Sequence, residues 1–197
     1  KSISKTIPSY FDLACSSFAK ECVTIVDQEK VIDGKKLAAL ACEKMAIDPK
    51  SVPGDFFDGL TVEDAGNLLS AQLQKIYQSH QEEGKWTDDM KNFAEKTITL
   101  DCVDRRWTRH IDQMAKLREA IWLRSYAQTD PLQAYTNEGF DMFNKMNLNI
   151  ALDVSKTLLH VAFRPNPDAE KASEENMSNV TPDKEEIDRS NPQAKIS

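Results

Sequence analysis

Glycine is scarce in this 197-residue chain. Six occur, Gly34, Gly54, Gly59, Gly66, Gly84 and Gly139, and none belongs to a glycine-rich loop. A loop that cradles phosphate needs closely spaced glycines so that several backbone N–H groups can converge, and that class of nucleotide site is excluded. Cysteine is limited to Cys15, Cys22, Cys42 and Cys102, without a C-x-x-C pair. A disulfide framework is not expected from that spacing, and the four read as reduced, buried or half-buried thiols. His80, His110 and His160 are the only histidines, and they form no H-E-x-x-H or other close metal-ligand pair. Cys102 and His110 are about two helical turns apart, too far for a nucleophile and its base on one helix. Also missing are a signal-peptide pattern and any apolar run near the roughly 18–20 residues that span a bilayer. Positive charge is not in excess: the net charge is −7 and the pI about 5.1. That balance argues against a nucleic-acid binder working through bulk charge.

What remains is helix. Strand-like alternation is almost absent, and the 40% hydrophobic content suffices for one compact domain or two small helical subdomains, so the class is all-α. The chain opens on Lys1 rather than Met, which reads as a processed product or an excised piece. A first helix is predicted from Ser9 to about Val23, with Phe11, Phe18 and Cys22 facing inward. A second follows Asp33-Gly34 through Leu37, Leu40, Ala41 and Met45. Residues 51–59, with Pro53 and two glycines around Phe56 and Phe57, read as a loop pinned by aromatics. Thr61 caps a third helix with Asp64 in the capping-box position; its stripe runs through Val62, Ala65, Leu69, Leu73, Ile76 and His80. Gly84 ends it.

Thr87, followed by Asp88 and Asp89, starts a helix that meets no breaker before Ser125. Val103, Trp107, Ile111, Met114, Leu117 and Ile121 draw one apolar stripe along it. Arg105, Arg106, Arg109, Lys116, Arg118 and Arg124 cover other faces, either as a solvated face or as a surface for an acidic partner, anionic lipid or a carboxylate-bearing helix. Asp130-Pro131 begins a return helix, since Asp caps well and Pro suits the first helical position. Its stripe is Leu132, Tyr135, Phe140, Phe143, Met146, Ile150, Val154 and Leu158, and it reaches about His160. Gly139 is its weak point. His110 reads as a structural histidine hydrogen-bonded between helices; Trp107, Met114, Phe140, Phe143 and Met146 read as core. Tyr126, in the turn, has no obvious core to join, and a tyrosine at a hairpin tip suits contact with a partner or a passing polypeptide. Residues 165–197 have too few apolar side chains to offset ordering entropy and read as a disordered tail.

Trp107, His110, Ile111, Met114, Leu117, Arg118, Ile121, Leu123, Arg124, Tyr126, Ala127, Gln128, Asp130 and Pro131 form a specific string. Tyr135, Glu138, Phe140, Met142, Phe143 and Met146 continue it. It resembles the C-terminal part of SecA, the family of bacterial preprotein-translocating ATPases. The match is specific over residues 90–146 and loose over 1–84. The resemblance implies three regions: a helical wing over 1–86, the two-helix finger of the helical scaffold over 87–163, and a disordered linker or tail over 164–197. It implies that Arg124, Ser125, Tyr126, Ala127 and Gln128 form the tip that meets preprotein and the SecYEG channel. Trp107, His110, Met114, Leu117, Arg118, Ile121, Tyr135, Phe140, Phe143 and Met146 form the stem, which packs against the motor and restrains ATP hydrolysis.

On the same resemblance, the ATPase motifs lie in missing N-terminal motor domains, so ATP and Mg belong to the parent protein and this chain holds no cofactor, metal or catalytic residue. The implied partners are SecYEG, preproteins, other SecA domains and an anionic membrane surface, with no nucleic acid. The implied location is the bacterial cytoplasm, peripherally at the inner face of the cell membrane. Ala120 and Ser125 stand where many members carry Gly, which stiffens the turn; Thr129, Leu132 and Thr136 replace residues often basic or polar. The Cys-rich zinc segment common at the family's C-terminus has no counterpart. The alternative is a stand-alone, non-enzymatic helical adaptor whose basic stem docks on an acidic protein.

Overall fold

The computed structural model describes residues 3–26, 29–124 and 130–163. Five α-helices dominate: α1 (Ile7–Glu21), α2 (Gly34–Met45), α3 (Val62–Glu83), α4 (Asp88–Arg124) and α5 (Pro131–His160). Pro8 sits in the first turn of α1, where its missing N–H costs nothing, so the helix starts two residues before Ser9. Three short 3-10 turns, at Ile3–Lys5, Pro49–Ser51 and Gly54–Phe56, complete the helical content of the described residues.

Between α1 and α2 the chain makes an antiparallel hairpin, β1 (Val23–Val26) with β2 (Glu29–Ile32), in the register Val23 with Ile32 and Thr24 with Val31. The sequence reading did not separate these strands from their surroundings. Each has four residues, too few for alternation to stand out, and Lys30 interrupts the second.

The helix starts follow their caps. Asp33 accepts from the Lys36 N–H at 3.0 Å at the head of α2. Thr61 Oγ1 accepts from the Asp64 N–H at 3.1 Å and its hydroxyl donates to the Asp64 carboxylate at 2.7 Å. Thr87 Oγ1 accepts from the Met90 N–H at 3.2 Å, and Asp130 from the Leu132 N–H at 2.9 Å. The segment between α2 and α3 wraps back on the head of α2: Asp58 Oδ1 accepts from the Gly34 N–H at 2.8 Å. A Cβ at Gly34 would overlap the Gly54 carbonyl oxygen, so only glycine fits there. Phe57 is buried in this segment, whereas Phe56 is exposed, so one aromatic pins the loop rather than two.

Residues 1–162 form one compact unit. Its core gathers Phe11, Cys15 and Phe18 of α1, Leu37 and Met45 of α2, Leu69 and Leu73 of α3, and Val154 and Leu158 of α5. Burying each large side chain contributes about 1.5–3 kcal/mol. The C-terminal half of α5 thus belongs to the same core as the first three helices. Two histidines tie this region together. His160 Nε2 lies 2.7 Å from the Met45 carbonyl oxygen at the end of α2, and His80 Nε2 bonds to the Val161 carbonyl just past α5.

A long hairpin with one buried and one uncovered face

Helix α4 has 37 residues, about 55 Å at 1.5 Å per residue. It runs antiparallel to α5, since Arg106 meets Asp153, His110 meets Phe143 and Met114 meets Gly139. The Arg106 guanidinium makes a bidentate bridge to Asp153, Nε to Oδ2 at 2.7 Å and Nη2 to Oδ1 at 2.8 Å, with both side chains about a quarter exposed. That geometry holds two parallel charge-assisted bonds across the stem. The hydrogen bond to Asp153 raises the Arg106 pKa above its ordinary value. Arg105 pairs with Asp101 one turn away, at 3.3 Å. Two of the basic side chains are thus matched by carboxylates of this chain, while Arg109, Lys116 and Arg118 stay exposed.

The stem residues differ in burial. His110, Leu117, Ile121 and Met146 are buried, and Met114 and Tyr135 are half-buried. Trp107, Phe140 and Phe143 are exposed, by 47%, 64% and 41%, which corrects their reading as core. Ile111 and Leu132, also placed on buried stripes, are exposed, and Arg118 is exposed as a charged side chain should be. The buried face of lower α4 instead follows Ala94, Glu95, Thr99, Cys102 and His110, with Arg106 half-buried. Polar residues at most of those inward positions hid this stripe. Trp107 and Ile111, from the stripe read in the sequence, point outward in line with exposed Phe93 and Leu100, at intervals of seven, seven and four, whereas Leu117 and Ile121 of that stripe are buried.

His110 is buried between the rings of Trp107 and Phe143, at centroid distances of 5.8 and 6.0 Å. Its Nδ1 has no hydrogen-bond partner, so aromatic packing rather than a bond through that atom holds the ring. Toward the end where α4 stops and α5 starts, an apolar groove of about 410 Å³ is lined by Arg118, Ile121, Trp122, Pro131, Leu132 and Tyr135. A neighbouring groove of about 430 Å³ shares Arg118 and Trp122 and adds Glu119 and Leu123. Trp122 and Leu123 are exposed by 75% and 73%. Arg124 ends α4, and its side chain, with Ser125, Tyr126, Ala127 and Gln128, lies outside the described residues.

Among the described residues no group of three or more His, Cys, Asp or Glu side chains could hold a metal ion. No helix there is long and apolar enough to cross a membrane. All four cysteines are buried free thiols, and burial raises each above the ordinary thiol pKa, Cys15 most. Reactive thiolates need the opposite shift.

These features define a class: an α-helical module built round a long hairpin arm that carries exposed apolar side chains. The comparisons identify which one. The SecA Wing and Scaffold domain matches residues 1–162. The protein translocase subunit SecA of Clostridium kluyveri is 42% identical over 134 residues, covering 64% of this chain and 16% of the relative. That of Mycoplasma capricolum is 34% identical over 151 residues, 77% of this chain and 16% of the relative. A SecA from Clostridium botulinum is 36% identical over 124 residues, 63% of this chain and 15% of the relative. The chain belongs to the SecA family, in its wing and scaffold region, and spans about 16% of the length of the curated relatives it matches.

Proposed function

We propose that this chain serves a SecA protein-translocation motor as the arm that meets the moving polypeptide. In this reading the end of the α4–α5 hairpin, with Arg124, Ser125, Tyr126, Ala127 and Gln128, contacts preprotein at the mouth of the SecYEG channel. The stem couples that contact to ATP hydrolysis by motor domains that bind ATP and Mg elsewhere in the parent protein. The work takes place on the cytoplasmic side of the bacterial membrane, with peripheral attachment. The observation that carries this reading is the exposed apolar surface flanking the hairpin's end. Trp122, Leu123 and Leu132 stand on helix rather than loop, so a rigid support presents them.

Apolar, sequence-tolerant contact suits a machine that handles many polypeptides, since hydrophobic association is non-directional. The outward stripe of Phe93, Leu100, Trp107 and Ile111, joined by Phe140 and Phe143, is assigned to packing against other SecA domains. Charge matching within the stem, through Asp153 and Asp101, leaves fewer cations for an acidic partner and favours this reading over a basic adaptor. Substituting Tyr126→Ala in the full-length protein is expected to slow preprotein transport while leaving the circular dichroism and melting temperature unchanged. Transport at the wild-type rate would remove the tip from the mechanism.

A further inference from the structure

Where α1, α3 and α4 meet, a small pocket of about 90 Å³ lies between Ile7 and Phe11 of α1, Tyr77 and Gln81 of α3, and Lys91 and Glu95 of α4. Glu95 is 2% exposed. The Tyr77 hydroxyl donates to Glu95 Oε1 at 3.3 Å. Burial, and then the charge of Glu95, push the Tyr77 phenol above its ordinary pKa, so it stays protonated and can donate. The second carboxylate oxygen, Oε2, is buried without a partner. Gln81 Nε2 makes no well-formed hydrogen bond, although the Gln81 side chain lies close enough to the Tyr77 hydroxyl to favour its ionised form slightly. No lysine or arginine among the described residues ion-pairs with Glu95.

A buried carboxylate with one empty oxygen is expensive, and folded proteins rarely keep such a group unless something completes it. Water can satisfy the oxygen but does not offset the charge. The pocket is also larger than the roughly 30 Å³ that one water occupies in the liquid. A planar guanidinium or a terminal ammonium with its last methylene suits both the volume and the sign of the charge. The Gln81 amide can turn to offer its oxygen to such a group, since its two ends are exchanged by a half-rotation.

We propose that this pocket receives the cationic end of an arginine or lysine side chain from another polypeptide segment, with Glu95 as its counter-ion and Gln81 as a second ligand. Lys91, one turn before Glu95 on the same helix, competes for the site from its rim. This inference stands apart from the hairpin's role, because none of its residues lies near the hairpin's end.

The test is amide NMR of the chain, titrated at constant ionic strength with methylguanidinium, methylammonium, N-acetylarginine amide and, as control, sodium chloride. Saturable shifts at Tyr77, Gln81 and Glu95 are expected from the organic cations but not from sodium. Glu95→Gln should weaken them at least tenfold, roughly the loss of one charged hydrogen bond. Tyr77→Phe, which keeps the carboxylate, should still saturate, and Lys91→Gln should tighten binding; these two variants carry the test if Glu95→Gln does not fold. N-acetylarginine amide binding at least as tightly as methylguanidinium assigns the site to a side chain. Its exclusion while the free cations bind overturns that assignment. Shifts that never saturate, persist unchanged in Glu95→Gln, or vanish in Lys91→Gln overturn the proposal.

Discussion

Cys15 lies in the core of α1, fully buried, and its thiol is pushed well above its ordinary range, first by burial and then by the charge of Asp12. A raised folded pKa means that the folded chain holds a proton which the unfolded chain releases. The resulting stability is complete below about pH 8.5 and drains away as pH rises past the thiol's unfolded pKa, at up to about 1.4 kcal/mol per pH unit for each such group. Cys22, Cys42 and Cys102 shift the same way, and Tyr77 adds its share above about pH 10. Urea unfolding midpoints should therefore be insensitive to these groups from pH 7 to 8.5 and fall above it. Cys15→Ala should flatten that fall; an unchanged slope would mean the thiol ionises freely in the fold.

At the scale of the element, the α4–α5 stem brings Met114 close to Gly139. A Cβ built there would stand 2.9 Å from Met114 Cε, the mobile end of a flexible side chain. Gly139→Ala should accordingly stabilise the hairpin, by up to about 1 kcal/mol from helix propensity, as the methionine swings aside. Gly139→Val, bulkier and β-branched, should cost roughly 1–3 kcal/mol through overpacking. Denaturant midpoints of the two variants should move in opposite directions, and a joint loss would mean that Met114 cannot yield.

This stem also shows what a sequence discloses about a helix and what it hides. Thr61, Thr87 and Asp130 were legible as caps because an N-cap is local chemistry, settled by one side chain and the backbone beside it. The facing of α4 was not legible. Outward Trp107 and Ile111 are more apolar than inward Glu95, Thr99 and His110, so hydropathy alone picks the wrong side of the lower stem. The inward choice depends on partners far along the chain, Asp153 for Arg106 and Tyr77 for Glu95, which no local pattern contains. The Glu95 pocket escaped notice for the same reason: it joins three helices, and only its glutamate, at an inward helical position, offered a local hint.

At the scale of the whole molecule, two apolar surfaces remain at different places on one arm. The outward stripe of the stem, from Phe93 to Ile111, has the spacing that places apolar side chains along one face of a helix. The grooves around Trp122 are short and lie beside the hairpin's end, the shape expected for a transient apolar guest. Membership of the SecA family gives the chain a translocase context, and the proposed function assigns one of these surfaces to internal packing and the other to cargo. The most direct measurement places a photo-crosslinking residue at Leu123, or instead at Trp107, in the full-length translocase carrying a preprotein arrested in transit. The account predicts that the Leu123 probe attaches to the preprotein while the Trp107 probe attaches only within SecA itself. Preprotein captured at Trp107 and not at Leu123 would contradict it.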